Sequence, residues 1–166
     1  AIPKEYIPAV DAGIQGAMLT GVLAGYNVVD VKATLVDGSY HEVDSSEMAF
    51  KTASSLAFKK LNPDAQPVIL EPIGTLKAFM PDDNLGDIMG DITKRRGRVL
   101  GMGPAEEPKM QMLEAEVPMA EMSSYAIDLR AMTQARGSFT LTFERYEEVP
   151  KANQAKIIEE AKKDAE

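Results

Sequence analysis

Apolar residues recur at spacings of three and four early in the chain. Ile7, Val10, Ile14 and Met18 make one stripe, which predicts a helix over residues 3–20. Pro3 and Pro8 suit its first turn, Gly13 and Gly16 permit close packing, and Gly21 supplies a stop. From Val28 to Val36 the period drops to two. Val29, Val31, Ala33 and Leu35 share one face and Asp30, Lys32 and Thr34 the other, the pattern of a strand. Asp37-Gly38 is a turn signal. A second helix is predicted over 45–61, with Asp44 and Glu47 spaced as a capping box and Ala49, Ala53, Leu56, Ala57 and Leu61 facing inward.

A polar break, Asn62 to Pro67, and the short apolar run Val68-Ile69-Leu70 lead to Pro72, where a domain boundary is placed. Beyond it, Gly74–Met80 alternates as a strand through Leu76, Ala78 and Met80. Residues 84–96 form a helix with Leu85, Ile88, Met89 and Ile92 inward. Arg98–Met102 and Met110–Val117 read as a hairpin around a loop too rich in proline to be a strand. The inner face changes parity in the second arm, from Met112 to Leu113, which suggests a bulge there. A helix follows over 123–136, with Ala126, Leu129 and Met132 inward, and then a strand, Ser138–Tyr146, with Phe139, Leu141 and Phe143 on one side. Both helices end in Arg-Gly just before a strand. Strand, helix, strand, strand, helix, strand is the split βαβ, ferredoxin-like plan. After Pro150, residues 151–166 hold a charged amphipathic helix with Ile157, Ile158 and Ala161 as its contacts. The division is thus 1–72, 73–150 and 151–166, in an α+β chain.

Composition narrows the chemistry. With no cysteine among 166 residues, disulfides, thiolate metal sites and a Cys nucleophile are excluded. A net charge of −8 argues against a general nucleic-acid coat but leaves room for a local basic patch. No apolar run of about 18 residues exists to span a membrane, and Ala1-Ile2-Pro3-Lys4-Glu5 lacks the features of a signal peptide. A cytoplasmic location is expected.

Catalytic constellations are scarce. The single histidine, His41, lies in the turn between Tyr40 and Glu42, so any Ser or Thr nucleophile has one candidate base. No Gly-x-Ser-x-Gly elbow and no Gly-Lys-Ser or Gly-Lys-Thr phosphate loop is present. Gly86 and Gly90, four apart in a helix, read as close packing on the sheet. Asp82 and Asp83 lack calcium-loop spacing and suit a helix start. Two features remain. Asp37 to Lys51 joins a strand to a helix, where a rigid base projects side chains outward. Lys94, Arg95, Arg96 and Arg98 form a basic cluster at a helix end, open to two readings: dipole complementarity or phosphate contact.

The chain resembles bacterial translation elongation factor G. The resemblance rests on Val28 to Lys32, Asp37 to Lys51, Leu70-Glu71-Pro72-Ile73, Gly86 to Asp91, Arg95-Arg96-Gly97, Ala115 to Met122, Asp128-Leu129-Arg130, Thr133 to Gly137 and Tyr146 to Pro150. It covers nearly the whole chain. It implies part of the family's fourth domain, a truncated βαβα-type unit like domain 2 of ribosomal protein S5, followed by the ferredoxin-like fifth domain. It further implies a ribosome-docking role in GTP-dependent translocation of tRNA and mRNA. Asp37, Gly38, Ser39, Tyr40, His41 and Glu42 would lie at the tip that enters the decoding region. Lys94, Arg95, Arg96 and Arg98 would lie near the factor-binding rRNA and the ribosomal proteins of the stalk base. GTP and magnesium would belong to a GTPase domain outside this chain, which would have no catalytic site or cofactor of its own.

Against the family pattern, the chain starts inside the fourth domain and lacks a second, glycine-rich tip loop. It therefore reads as a fragment. Strand 28–36 would be left without partners, so self-association through its edge, a rearranged fold or partial disorder of residues 1–72 is expected. Three other readings stay open: a ribosomal-protection or recycling paralogue, a ferredoxin-like module binding a small molecule, and an acid-base enzyme using His41 and Glu42.

Overall fold

In the computed structural model, which describes residues 1–166, the chain divides into two units. One comprises residues 1–69 and 150–166, the other residues 70–149.

The first unit is built on two packed helices, α1 (Ile7–Met18) and α2 (Glu47–Leu61). Small residues let them approach. Ala9, Gly13 and Ala17 are buried on α1, and a Cβ at Gly13 would stand 2.0 Å from Ser54 Oγ and 2.2 Å from the Lys51 carbonyl oxygen. Gly13 thus serves as expected, whereas Gly16 faces open space. Val10 and Phe50 complete the core, with Ile2, Tyr6 and Ile14 against it. Ile7, expected in the buried stripe, is exposed.

The predicted inner face of α2 is wrong. Ala49, Ala53 and Ala57 are exposed, as are Leu56 at 62% and Leu61. Phe50 is the buried anchor, and the helix turns to seat that ring and to bring Ser54 beneath Gly13. Its cap also differs. The Ser46 hydroxyl, not Asp44, accepts from the Ala49 N–H at 3.1 Å, the usual Ncap bond.

Residues 28–36 form no strand. Asp30 adopts φ 56°, and Val29, Val31, Leu35 and Val36 are exposed. The alternation is present but no segment of the chain supplies a ladder partner, and a strand is stable only through its pairing. The last helix, α5 (Lys151–Asp164), carries Ile157, Ile158 and Ala161 half-buried. Gln154 Oε1 accepts from the Ile69 N–H at 3.3 Å.

The second unit is an antiparallel sheet with two helices. Its strands are β1 (Leu70–Pro81), β2 (Arg98–Pro104), β3 (Met110–Pro118) and β4 (Ser138–Glu148), in the order β2-β3-β1-β4. Helices α3 (Leu85–Lys94) and α4 (Tyr125–Thr133) complete the ferredoxin-like plan. Leu76, Ala78 and Met80 of β1 and Leu113, Ala115 and Val117 of β3 are fully buried, together with Ile88 and Ile92 of α3 and Tyr125 of α4; Leu129 is nearly so. Each large apolar side chain here contributes about 1.5–3 kcal/mol by leaving water.

Several details depart from the sequence reading. Strand β1 starts at Leu70, ahead of the boundary placed at Pro72. Strand β3 runs in unbroken register against β1, and the hairpin's bulge falls in the first arm, where Leu100 lies between the Val99–Ala115 and Gly101–Glu114 pairs. Met110 and Met112 simply lie on the other face of an uninterrupted strand. On α4, Ala126 is exposed and Thr133 is buried instead, because Thr133 bonds the Leu129 carbonyl at 2.7 Å and receives the Gly137 N–H at 2.8 Å. Phe143 is exposed, next to a second bulge at Glu144 in β4. Gly86 and Gly90 face open space, so they do not serve close packing.

The end of α3 explains one Arg-Gly pair. Gly97 N–H reaches the Ile92 carbonyl at 2.9 Å and Arg96 N–H the Thr93 carbonyl at 3.1 Å, the two bonds of a Schellman motif. Arg96, not Gly97, holds the left-handed position, with φ 63°. The glycine is needed for space, since a Cβ there would meet Ile92 Cγ2 at 2.5 Å and Val117 Cγ1 at 2.8 Å.

Candidate functional site

The loop between Asp37 and Ser46 is fastened at both ends. At its start, Gly38 N–H donates to Asp37 Oδ1 at 2.8 Å. That bond, with the Ala1 ammonium 3.4 Å away, holds the Asp37 carboxyl below its ordinary range. Gly38 also sits against Ile2, where a Cβ would lie 2.5 Å from Ile2 Cδ1. At its far end, His41 N–H donates to Ser45 Oγ at 2.9 Å, and the His41 carbonyl accepts from Ser45 N–H at 2.9 Å. These reciprocal bonds close a turn over 41–45, and the Ser46 cap then starts α2.

The side chains inside this frame are mostly open to water. Ser39, His41 and Glu42 are exposed. Tyr40 alone is held by its ring, 5.8 Å from Tyr6, which stacks at 4.7 Å on Phe50. No bond joins His41 to Glu42, so the general-base geometry that an acid-base enzyme needs is not set up by these two. What the loop offers to solvent is one imidazole, one hydroxyl and one phenol, of which the phenol's ring is packed.

The four basic residues do not form one surface patch. Arg95 is drawn inward. Its Nε donates to Asp91 Oδ2 at 2.8 Å, one terminal nitrogen donates to the Glu121 carbonyl at 2.8 Å and the other to Asp128. Its guanidinium lies 5.1 Å from the centre of the Tyr125 ring, a cation–π distance. Arg96 forms two parallel bonds with Glu71, at 2.8 and 2.9 Å, and reaches Glu121 at 3.3 Å. These donors are committed to tying α3 to β1 and α4. Lys94 and Arg98 remain more open, and Arg98 touches Glu116 at 2.8 Å. The sequence showed four cations close together but not the acids that pair with three of them.

On the open face of the sheet, Arg145 grips Glu116 through two bonds, at 2.9 and 3.0 Å, and reaches Glu147 at 2.6 Å. With Arg145 and Arg98 both bonded to it, the Glu116 carboxyl is lowered to about 2. Beneath the helices, burial and then the charge of Asp91 push the Tyr125 phenol up to about 12.

Pattern reading missed Tyr6, Phe50, Ile2 and Ser45 as supports of the loop. The available signal was aromatic placement: Tyr6, Tyr40 and Phe50 are three of the ten aromatic residues in the chain, and all three come together at this loop.

Comparison with known proteins agrees along the chain. A family model described as elongation factor G, domain IV, matches residues 1–66, and one described as elongation factor G C-terminus matches residues 68–157. The chain is also similar to a solved crystal structure of a protein from Thermus thermophilus. The two are 45% identical with a TM-score of 0.81, and the match covers 98% of this chain and 24% of that one. The chain thus spans about a quarter of that relative's length. No helix is long and apolar enough to cross a membrane. The chain belongs to the elongation factor G family, matching that family's domain IV and its C-terminus in succession.

Proposed function

We propose that this chain is the ribosome-docking part of a cytoplasmic translation elongation factor and supports GTP-dependent movement of tRNA and mRNA. The loop 37–46 acts at the decoding region, and the ferredoxin-like unit acts near the factor-binding rRNA and the stalk-base proteins. GTP and magnesium belong to another part of the factor, and this part performs no chemistry. The observation that carries the reading is the succession of the two family matches, 1–66 and 68–157, with a single exposed histidine on a braced loop in the first.

Charge shapes the mode of contact. Asp37, Glu42 and Asp44 surround His41 in sequence, and the whole chain carries −8. Such a loop does not hold RNA by neutralising phosphates, the term that makes binding strongly salt-dependent. It suits contacts from Ser39, Tyr40 and His41 to bases and riboses, which carry position and identity. In the second unit, phosphate contact falls first to Lys94, because Arg95 and Arg96 are bonded internally and Arg98, though exposed, is paired with Glu116.

The test is translocation by the intact factor with His41→Ala. Slowed movement with GTP hydrolysis retained supports the reading. Unchanged movement, with an unchanged ribosome footprint around the loop, removes it.

A further inference from the structure

The loop that carries His41 has no secondary structure of its own between Gly38 and Tyr40, yet it must present side chains at fixed positions to discriminate a target. A stack of three rings supplies the missing rigidity. Phe50 is buried in the α1–α2 core. Tyr6 lies on it at 4.7 Å with an interplanar angle of 21°. Tyr40 lies against Tyr6 in turn, at 5.8 Å and 34°. Both distances fall within the range of favourable aromatic pairs. The rings come from three separate segments: the turn before α1, the first turn of α2, and the loop.

We propose that Tyr6 is a positioning residue for the 37–46 loop, its ring passing the rigidity of the α1–α2 core to Tyr40 and so fixing where the adjacent His41 is presented. The role deepens the recognition reading above and rests on it for its purpose. Phe50 is held by the core and Tyr40 by the loop. Tyr6 is the ring that pairs with both. The His41–Ser45 turn fixes the loop's far side, so without Tyr6 its near side is left to the Ile2–Gly38 contact and the Ala1 bond beside it. Burial, Glu5 and then Tyr40 push the Tyr6 phenol above its ordinary range, in keeping with two phenols side by side.

The experiment uses NMR on the 166-residue chain, in which the lone histidine gives one resolvable imidazole. Tyr6→Leu is expected to lower exchange protection of the His41 amide, which donates to Ser45 Oγ, by roughly fivefold or more, the factor one aromatic pair supplies. The His41 imidazole signals should shift, while amides in the middle of α1 and α2 keep their protection. Tyr6→Phe, which keeps the ring, should restore both signatures. Unchanged protection and unchanged imidazole signals in Tyr6→Leu overturn the proposal. If Tyr6→Leu unfolds the core, Tyr40→Leu breaks the same stack from its exposed end and is read identically. Adding ribosomes separates the two ideas: a wild-type His41 signal indifferent to them counts against recognition by the loop, while the Tyr6 result stands on the exchange data alone.

Discussion

Arg96 and Glu71 face each other through two parallel hydrogen bonds, 2.8 and 2.9 Å long, joining the end of α3 to the start of β1. Glu71 is 7% exposed, so its carboxylate has little water to replace this partner. Glu71→Ala leaves a guanidinium without its main acceptor, and Arg96→Ala strands a buried carboxylate. Each is expected to cost about 3 kcal/mol in urea unfolding. Arg96→Lys keeps the charge but loses the fork, at about 1 kcal/mol. A double-mutant cycle should show strong coupling between the two sites.

Glu116 makes the unit acid-sensitive in a defined window. Its carboxyl is lowered from 4.5 to about 2 by Arg145 and Arg98. A depressed carboxylate contributes stability that is complete above the unfolded value and fades as pH falls through the folded one. The loss should therefore run from about pH 4.5 down to about 2. Carboxyl carbon titration by NMR should place Glu116 near 2, and Arg145→Ala should move it toward its ordinary range. The stability gap between wild type and Arg145→Ala should be present at about pH 6 and nearly closed at about pH 2.

The Tyr125 hydroxyl is buried without a hydrogen-bond partner, while its ring meets Phe139 edge-on at 4.9 Å. Tyr125→Phe keeps the ring and removes the orphaned group, so it should stabilise the unit by about 1 kcal/mol. The phenol is raised from 10.0 to about 12. The neutral form is thus favoured by folding, and stability falls as pH rises from about 10 toward 12. That alkaline loss should be smaller in Tyr125→Phe. Thermal unfolding at about pH 7 and about pH 11 checks both statements.

Two classes of helical glycine should respond in opposite ways to alanine. At Gly13 the added carbon meets the Lys51 carbonyl oxygen at 2.2 Å. Backbone must move, and a loss of at least about 2 kcal/mol is expected. Gly86 and Gly90 face open space within α3, and alanine there should add about 0.5–1 kcal/mol each. Denaturant midpoints of the three variants provide the comparison.

Val36 is 90% exposed and Val29, Val31 and Leu35 are also open to water. The chain is expected to self-associate through residues 28–36 as its concentration rises. Sedimentation should show that Val31→Lys with Val36→Lys shifts the population to monomer.

The second unit was legible because its patterns find their complements inside it. Leu76, Ala78 and Met80 alternate, and the strands that bury them are present. The 28–36 segment alternates just as clearly, yet periodicity names the face to be buried without guaranteeing a neighbour to bury it. Helix α2 misled because three alanines and two leucines outvoted one phenylalanine, although Phe50 fills the space between the helices. The basic cluster misled for a related reason. Local charge density says nothing of Glu71 and Asp128, which lie 25 and 33 residues from their arginines. The loop stood out by its lone histidine and its place before a helix, but the aromatic stack that braces it joins residues far apart in sequence.

The pairing of Leu70 with Glu148 places the entry and exit of the ferredoxin-like unit side by side. The two strands at that mouth are antiparallel. Tension carried by the flanking chain would reach the sheet at one end of the β1–β4 seam and open its bonds one at a time, as a zipper opens, rather than loading them together. Along that line of pull the unit is mechanically soft, however well its core resists heat or urea.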